Sequence, residues 1–272
     1  VMAKRTIYYS DPLHDDFAGN HIRTQVVDQS FPFLHPSRLW ALASFMIYYW
    51  IAIPVVFLIC KLYLGLKFEN HRQLRRLGSS GYFLYGNHTQ YLDAFLPAMA
   101  AFPKRSYVIA NPDAVSIPGL RNLVQLIGCI PVPSELSGLP AFLEAVGRRF
   151  HQGACIGIYP EAHIWPYYTG VRPFSGTSFR YPVKWNAPVV AMAVTYRKRR
   201  GLFRWVKRPG MTVTFSPPIY PDLTLHPKAA QEELRRQVYH FMCRVTARPG
   251  NVEYIHYEPF HSEAGSAKGG SL

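Results

Sequence analysis

Short apolar runs separated by helix-like segments dominate the chain after residue 80. The runs with strand character cover residues 81–86, 106–110, 154–159, 187–196 and 211–216. Segments 137–151 and 228–247 repeat their apolar residues at the spacing of one helix face. Strands that alternate with helices are typical of a sheet covered on both faces. We therefore predict an α/β fold with a mixed, mostly parallel sheet and helices on both faces.

A long apolar segment precedes this region. Residues 39–60 are 22 consecutive positions without a charged side chain, and about 20 such residues suffice for a helix to cross a bilayer core. Aromatic residues that prefer the membrane interface, Tyr48 and Trp50 among them, lie inside the run, and Pro54 is expected to kink a helix. A helix or hairpin lodged in one leaflet explains these residues as well as a full span does. We predict a membrane-embedded segment, with a merely buried core helix as the alternative, and leave its topology open.

The flanks of this segment differ in charge. The cations within about 20 residues are Lys61, Lys67, Arg72, Arg75 and Arg76 downstream, and Arg23 and Arg38 upstream. By the positive-inside tendency, the body of the protein faces the cytoplasm. The predicted parts are a polar N-terminal segment (1–38), a membrane-associated helix or hairpin (39–67), an α/β domain (68–261) and a disordered Gly/Ser-rich tail (262–272).

The composition adds a strong positive charge to this picture. Lys and Arg number 30 against 16 Asp and Glu, a net charge of +14, and 49% hydrophobic residues exclude a disordered chain. Such a charge favours phosphate groups, on nucleic acid or on a membrane face. Because a nucleic-acid-binding protein does not require the apolar segment 39–60, we predict membrane lipids as partners and no nucleic acid. The oligomeric state stays open.

Half of the excess charge lies in residues 197–208, which hold seven cations and no acidic residue. We predict that this basic segment presses on anionic headgroups. Its contact residues are Arg197, Lys198, Arg199, Arg200, Phe203, Arg204, Trp205, Lys207 and Arg208. Attraction of coenzyme A phosphates, attraction of an acidic carrier protein, and a merely solvated hairpin are the alternatives.

The sequence GNHTQYLD holds the first candidate catalytic group. His88 and Asp93 can meet only if His88 lies in a loop and Asp93 begins the next helix, because five residues of helix turn the two side chains about 140° apart. The preceding strand and the following helical pattern supply that setting. An imidazole held by a carboxylate through one nitrogen presents the other as a general base. The alternative is that both residues merely cap a helix.

A second candidate follows the predicted strand 154–159. Glu161 is placed to bind acceptor hydroxyls or to hold its loop through backbone N–H groups, and His163 is a possible second base or a surface residue. The spacing of these residues fits no zinc motif, so we predict no metal. The four cysteines form no C-x-x-C pair, which argues against a cysteine-based zinc site.

These stretches resemble the glycerophospholipid (lysophospholipid) acyltransferase family, whose type member acylates 1-acylglycerol 3-phosphate. Its N-H-x-x-x-x-D block is matched by Asn87, His88 and Asp93, and its F-P-E-G-T-R block is similar to residues 159–164. A P-F-K-x-G stretch corresponds to residues 173–176, ending at Gly176, and a V-P-V-type strand to residues 188–194. The blocks occur in family order over about residues 80–220. The family's helical hairpin before the domain fits residues 39–66.

The chain departs from the family at two arginines associated with the acceptor's phosphate. Those positions read Pro133 (or Ser134) and Ile164. A guanidinium is the natural bidentate ligand of phosphate, so the change is not neutral. Either other cations replace them, or the acceptor is not a simple phosphomonoester. The candidate replacements are Arg121, Arg172, Arg180 and Lys184.

The resemblance implies a membrane-bound O-acyltransferase. His88 would take the proton of a lysophospholipid hydroxyl, preferably of 1-acylglycerol 3-phosphate, and Asp93 would orient it. The hydroxyl would attack a thioester of coenzyme A or acyl carrier protein, which is a co-substrate, and no cofactor is expected. Predicted substrate-binding residues are Asn87, Glu161, Arg121, Arg172 and Gly176. The alternatives are a non-phosphomonoester acceptor, a hydrolase or transacylase, and a non-enzymatic basic membrane protein.

Overall fold

A seven-stranded sheet forms the centre of the molecule, in a computed structural model that describes residues 5–17 and 24–260. The predicted disordered tail lies outside the described residues. The strands of this sheet are β2 (Lys67–Glu69), β3 (Tyr82–Gly86), β4 (Ser106–Ala110), β5 (Cys129–Pro131), β6 (Cys155–Ile158), β7 (Val189–Arg197) and β8 (Gly210–Phe215). Strands β1 (Arg5–Tyr9) and β9 (Ile255–Pro259) form a separate two-stranded sheet.

The strand order in the main sheet is β2-β8-β7-β3-β6-β4-β5. Strands β7, β3, β6, β4 and β5 run parallel, and the β2–β8 pair runs antiparallel to them. The expectation of a mixed, mostly parallel sheet is therefore confirmed. Because the carboxyl ends of β3, β4 and β6 share one edge, the loops that follow these strands meet there.

Helices cover both faces of the sheet. They are α1 (Arg38–Tyr63), α2 (Arg72–Arg75), α3 (Leu96–Ala101), α4 (Asp113–Ser116), α5 (Arg121–Leu126), α6 (Leu139–His151), α7 (Arg180–Lys184) and α8 (Pro227–Thr246). One face of the sheet packs against α1 and α3, through residues such as Val56, Cys60 and Leu96. The other face packs against α6, α7 and α8, through residues such as Phe142 and Leu234.

Helix α1 is the predicted apolar segment. It has 26 residues with a mean hydropathy of 2.2 in its most apolar window, of which 17% is buried, so length and composition alone would allow it to cross a membrane. The helix continues through Pro54 with wide π turns at Ile47–Ala52 and Ile59–Tyr63. A wide turn just before the proline leaves room for a ring that would otherwise crowd the carbonyl four residues earlier.

Helix α1 lies along the domain instead of projecting from it. Near its start, the Ser44 hydroxyl donates to the Leu126 carbonyl at 2.7 Å, and the Tyr48 hydroxyl lies 3.1 Å from the Ser106 hydroxyl. Farther along, Val56 and Cys60 enter the core. The opposite side of the helix is an exposed apolar stripe, which includes Leu39, Leu42, Phe45, Met46, Trp50, Ile51, Val55, Phe57, Leu58, Leu62 and Tyr63.

The N-terminal segment packs on the α/β domain. Strand β1 pairs in parallel with β9, and Trp165 packs against Tyr9 with ring centroids 4.8 Å apart. The Trp165 indole N–H also donates to the Asp15 carbonyl at 2.8 Å. Polar residues near the start of the chain are thereby brought beside the loops at the carboxyl edge of the sheet.

Candidate active site

The loop after β3 brings His88 and Asp93 together. Residues 87–90 are irregular, and Tyr91–Phe95 forms a short 3₁₀ helix in which Asp93 is the third residue. The His88 Nδ1 atom lies 3.4 Å from the Asp93 Oδ2 atom. This contact is at the long end of the hydrogen-bond range, as is common for catalytic pairs without substrate. With Nδ1 directed at the carboxylate, Nε2 is the ring nitrogen left for a substrate.

Asp93 caps its helix and faces His88 at the same time. Its Oδ2 atom accepts hydrogen bonds from the Thr89 and Gln90 backbone N–H groups at 2.6 Å and 2.8 Å. The side chain is fully buried, and these amides fix the carboxylate position before any contact with the imidazole. The sequence analysis treats helix capping as the alternative to a His88–Asp93 pair. In the structure the Asp93 carboxylate makes both contacts, so the two roles are compatible.

Tyr159, directly after β6, supports the histidine. Its ring stacks on the His88 imidazole with centroids 4.6 Å apart, and its hydroxyl donates to the backbone carbonyl of Asp93. One side chain thus contacts both members of the pair and limits the rotation of the imidazole.

Glu161 holds the same loop from the β6 side. Its Oε2 atom accepts from the His88 backbone N–H at 3.2 Å, and its Oε1 atom accepts from the Arg172 backbone N–H at 3.0 Å. The Arg172 guanidinium lies 3.3 Å from Glu161, with both side chains only 1% exposed. Burial raises the pKa of Glu161, while the Arg172 charge and the two backbone N–H groups act in the opposite direction.

A cavity of about 590 Å³ opens at this edge of the sheet, and His88 lines it. Much of its wall is apolar, with Val108, Ile109, Ile117 and Ile158 among the contributors. Its ionisable lining residues are Asp16, His88, Tyr91, Asp113, Tyr159, His163 and Tyr181, with no lysine or arginine among the residues that the structure describes.

Comparison with known proteins identifies the domain. Residues 65–195 match the family model described as Acyltransferase. This domain belongs to the acyltransferase family. The match confirms the resemblance shown by the sequence blocks and supports an acyltransferase activity for this domain. No curated protein sequence matches the chain significantly.

The acyltransferase domain also has a solved structural counterpart. The chain is similar to the crystal structure of the 1-acyl-sn-glycerophosphate (LPA) acyltransferase PlsC from Thermotoga maritima, with a TM-score of 0.50. The sequences are 14% identical, and the similarity covers 79% of this chain and 86% of that chain. At this identity the likeness shows a shared fold.

Two of the predicted substrate-binding residues have structural contacts within the acyltransferase domain. The Asn87 side chain is fully buried; its amide donates to the Val194 carbonyl at 3.2 Å and its Oδ1 atom accepts from the Val194 N–H at 2.7 Å. A β-carbon at Gly176 would approach the carboxylate of Glu232, whose exposed side chain can move aside. Asn87 thus ties the His88 loop to β7.

None of the four cations proposed to replace the family arginines lines the His88 cavity. Arg172 is buried against Glu161, and the Arg121 guanidinium lies over the Phe31 ring at 4.9 Å. Arg180 and Lys184 lie over Tyr181 and Trp185 respectively. Ile164, at a family arginine position, lines the His88 cavity directly.

Several residues of the site have no signal in the sequence. Tyr159 lies in a matched block, but its stacking on His88 depends on the register of β6 beside β3. Asp16 and Asp113 reach the cavity from segments without a diagnostic pattern. Asp16 lies 3.8 Å from the Nδ1 atom of His163, so the predicted second base has a carboxylate beside it.

The basic segment lies next to the end of α1. The Arg199 guanidinium donates to the Leu62 carbonyl at 3.2 Å and to the Tyr63 carbonyl, and Arg197 donates to the Gly65 carbonyl at 2.7 Å. These two arginines satisfy carbonyls at and just beyond the helix C-terminus. Of the predicted contact residues in the segment, the exposed ones are Lys198, Arg200, Phe203, Arg204, Trp205, Lys207 and Arg208.

Proposed function

We propose that this enzyme transfers a fatty acyl group from an acyl thioester, of coenzyme A or acyl carrier protein, to a hydroxyl of a lysophospholipid. The observation that carries the proposal is the His88–Asp93 contact at the wall of a cavity inside an acyltransferase-family domain. The likeness to PlsC makes 1-acylglycerol 3-phosphate the first acceptor to test.

In the proposed mechanism His88 acts as the general base. Its Nε2 atom accepts the proton of the acceptor hydroxyl while that oxygen attacks the thioester carbonyl. Collapse of the tetrahedral intermediate breaks the carbon–sulfur bond, and His88 returns the proton to the leaving thiolate. Asp93 accepts from Nδ1–H and stabilises the transient imidazolium. Cys155 is fully buried, and burial raises its pKa to about 12, which opposes a role as nucleophile.

A second acceptor class is favoured by the lining of the cavity. Asp16 and Asp113 line the cavity together with His88, and the guanidinium of Arg172 forms a buried ion pair with Glu161. Carboxylates near a phosphomonoester would repel it. A lipid alcohol without a terminal phosphate is therefore the second candidate acceptor.

A thioester-consumption assay tests both proposals. Acyl-CoA and acyl carrier protein are offered against lysophosphatidic acid, zwitterionic lysophospholipids and neutral lipid alcohols. Turnover with any of these acceptors supports acyl transfer, and the preferred acceptor decides between the two classes. Thioester hydrolysis that no acceptor accelerates would contradict the transferase proposal.

We also propose that α1 and the basic segment bind the enzyme to one leaflet of a membrane. The exposed stripe of α1 is apolar along the helix, while its other side contacts the domain from Ser44 to Cys60. A helix held along the domain fits an orientation in the membrane plane better than a crossing. Exposed Trp205 and the cations around it extend this surface beyond Tyr63. The catalytic domain would then face the cytoplasm.

Substitution of Arg200 and Lys207 by glutamine is expected to weaken binding to anionic vesicles about thirtyfold. Each cation near an anionic surface contributes about 1 kcal/mol, and 1.4 kcal/mol corresponds to tenfold. Vesicle co-sedimentation measures the effect, and neutral vesicles should show little change. The matched control replaces Lys228 and Arg244 of α8, which are exposed on the far side of the sheet. Equal losses for both double variants would contradict the proposed contact surface.

A further inference from the structure

A second cavity adjoins the catalytic loop. It has a volume of about 770 Å³, and its walls come from β1, the end of α1, the residues after His88 and the chain before β9. Tyr91 lines both this cavity and the one that contains His88. The consecutive residues Asp16 and Phe17 line the catalytic and the second cavity respectively. The two cavities are therefore neighbours along Tyr91 and residues 16–17.

Positive charge predominates in the second cavity. Arg5 and Arg208 line it, and Glu253, whose carboxylate also contacts His256 at 2.8 Å, is the acidic residue among the described lining. The Arg208 guanidinium lies over the Tyr63 ring at 4.7 Å from the centroid, which holds it beside the end of α1. Tyr63, Tyr91, Tyr167 and Tyr254 add phenol groups to the wall.

The side chains that line the second cavity are of the kinds that bind a phosphate ester. Guanidinium groups bind phosphate oxygens through charge-assisted hydrogen bonds, and phenol hydroxyls donate further ones. The His88 cavity, by contrast, presents Asp16 and Asp113 and holds none of the four cations considered as replacements for the family arginines. Both substrates of the proposed reaction can carry phosphate: the acceptor in its headgroup, and the donor in its coenzyme or carrier arm.

We propose that Arg5 and Arg208 bind a phosphate group of one of the two substrates in this second cavity. The inference rests on the acyl transfer proposed above. It assigns to the start of the chain and to the basic segment a role in substrate recognition in addition to any membrane contact. A phosphate bound in this second cavity would not need the two family arginines, whose positions hold Pro133 and Ile164 in this chain.

Steady-state kinetics on the enzyme test this assignment with paired substrates. Lysophosphatidic acid is compared with 1-acylglycerol of the same chain, and acyl-CoA with the acyl thioester of N-acetylcysteamine, which lacks phosphate. Arg208→Gln and Arg5→Gln are each expected to raise KM about tenfold for one phosphate-bearing substrate, with kcat changed less than twofold. The substrate whose KM rises identifies the source of the phosphate.

Arg204→Gln is the matched comparison, because it removes the same charge from the same segment without lining the cavity. It reports the loss of membrane attraction alone. A KM change in Arg208→Gln equal to that in Arg204→Gln, or equal with and without phosphate on the substrate, would overturn the assignment.

Calorimetric binding separates this inference from the proposed reaction. Coenzyme A and lysophosphatidic acid are titrated into wild-type and Arg208→Gln enzyme, a measurement that needs no turnover. A tenfold weaker binding of either ligand by the variant supports the cavity assignment even if no acyl transfer is found. Unchanged binding, or no binding of either ligand by the wild type, overturns it.

Discussion

Replacement of His88 by alanine is expected to lower kcat/KM for acyl transfer about 10³-fold, within the range for loss of a general base. The imidazole lines the cavity and faces Asp93, so its removal leaves no base held by that carboxylate. Thioester consumption at saturating acceptor measures the effect. Binding to vesicles should persist, because α1 and the basic segment are unchanged.

His163→Ala is the control for this variant. His163 lines the same cavity, but its carboxylate neighbour is Asp16, at 3.8 Å. We expect a loss below tenfold, since a side chain that only shapes the cavity does not transfer the proton. Comparable losses in the two variants would remove the assignment of His88 as the base.

Arg172→Met is expected to lower the free energy of unfolding by about 3–5 kcal/mol, the usual cost of leaving one member of a buried ion pair without its partner. Glu161 would keep its backbone contacts but lose the guanidinium at 3.3 Å. Denaturant unfolding followed by fluorescence measures the change at pH 7. Activity should also fall, because Glu161 holds the backbone of His88.

The pH dependence of this variant has a definite sign. Burial already raises the pKa of Glu161, and loss of the Arg172 charge raises it further. A carboxyl group with a raised pKa in the folded state contributes stability below its unfolded pKa, about 4.3, and loses it as pH rises through the folded pKa. The deficit of Arg172→Met should therefore shrink as the pH falls from 7 towards 5.

Arg236→Met provides the matched comparison. Arg236 pairs with Glu233 at 2.7 Å on the surface of α8, with side chains 57% and 31% exposed. Exposed pairs contribute about 0–1 kcal/mol, so this variant should change stability little. If Arg172→Met were as stable as Arg236→Met, the buried pair would not hold the loop as described.

The central strands could be predicted because burial leaves a continuous apolar run in the sequence. Residues 81–86 and 187–196 are such runs, and they became β3 and β7. Strands β5 and β9 were not predicted, and neither were β1 and β2. The sequences of β1 and β2, RTIYY and KFE, are short and partly charged, and their pairing depends on distant partners in β9 and β8.

The same contrast applies to the site. His88 and Asp93 are five residues apart, so a local pattern predicts their contact. Arg172 was predicted to bind substrate, whereas in the structure it is buried against Glu161. The sequence does not show which arginine forms this buried ion pair. The contribution of Asp16 to the cavity depends on the N-terminal segment packing across Trp165. Contacts between remote segments are set by the tertiary fold and leave no local trace.

The packing of α1 has a practical consequence for protein production. Deletion of the helix to obtain a detergent-free catalytic fragment would remove Val56 and Cys60 from the buried core that they share with Leu96. The truncated fragment should therefore aggregate. Polar replacements at outward positions such as Leu39, Leu42 and Leu62 would leave that core intact. Redesign of one helix face, with the helix retained, is the route to a water-soluble enzyme.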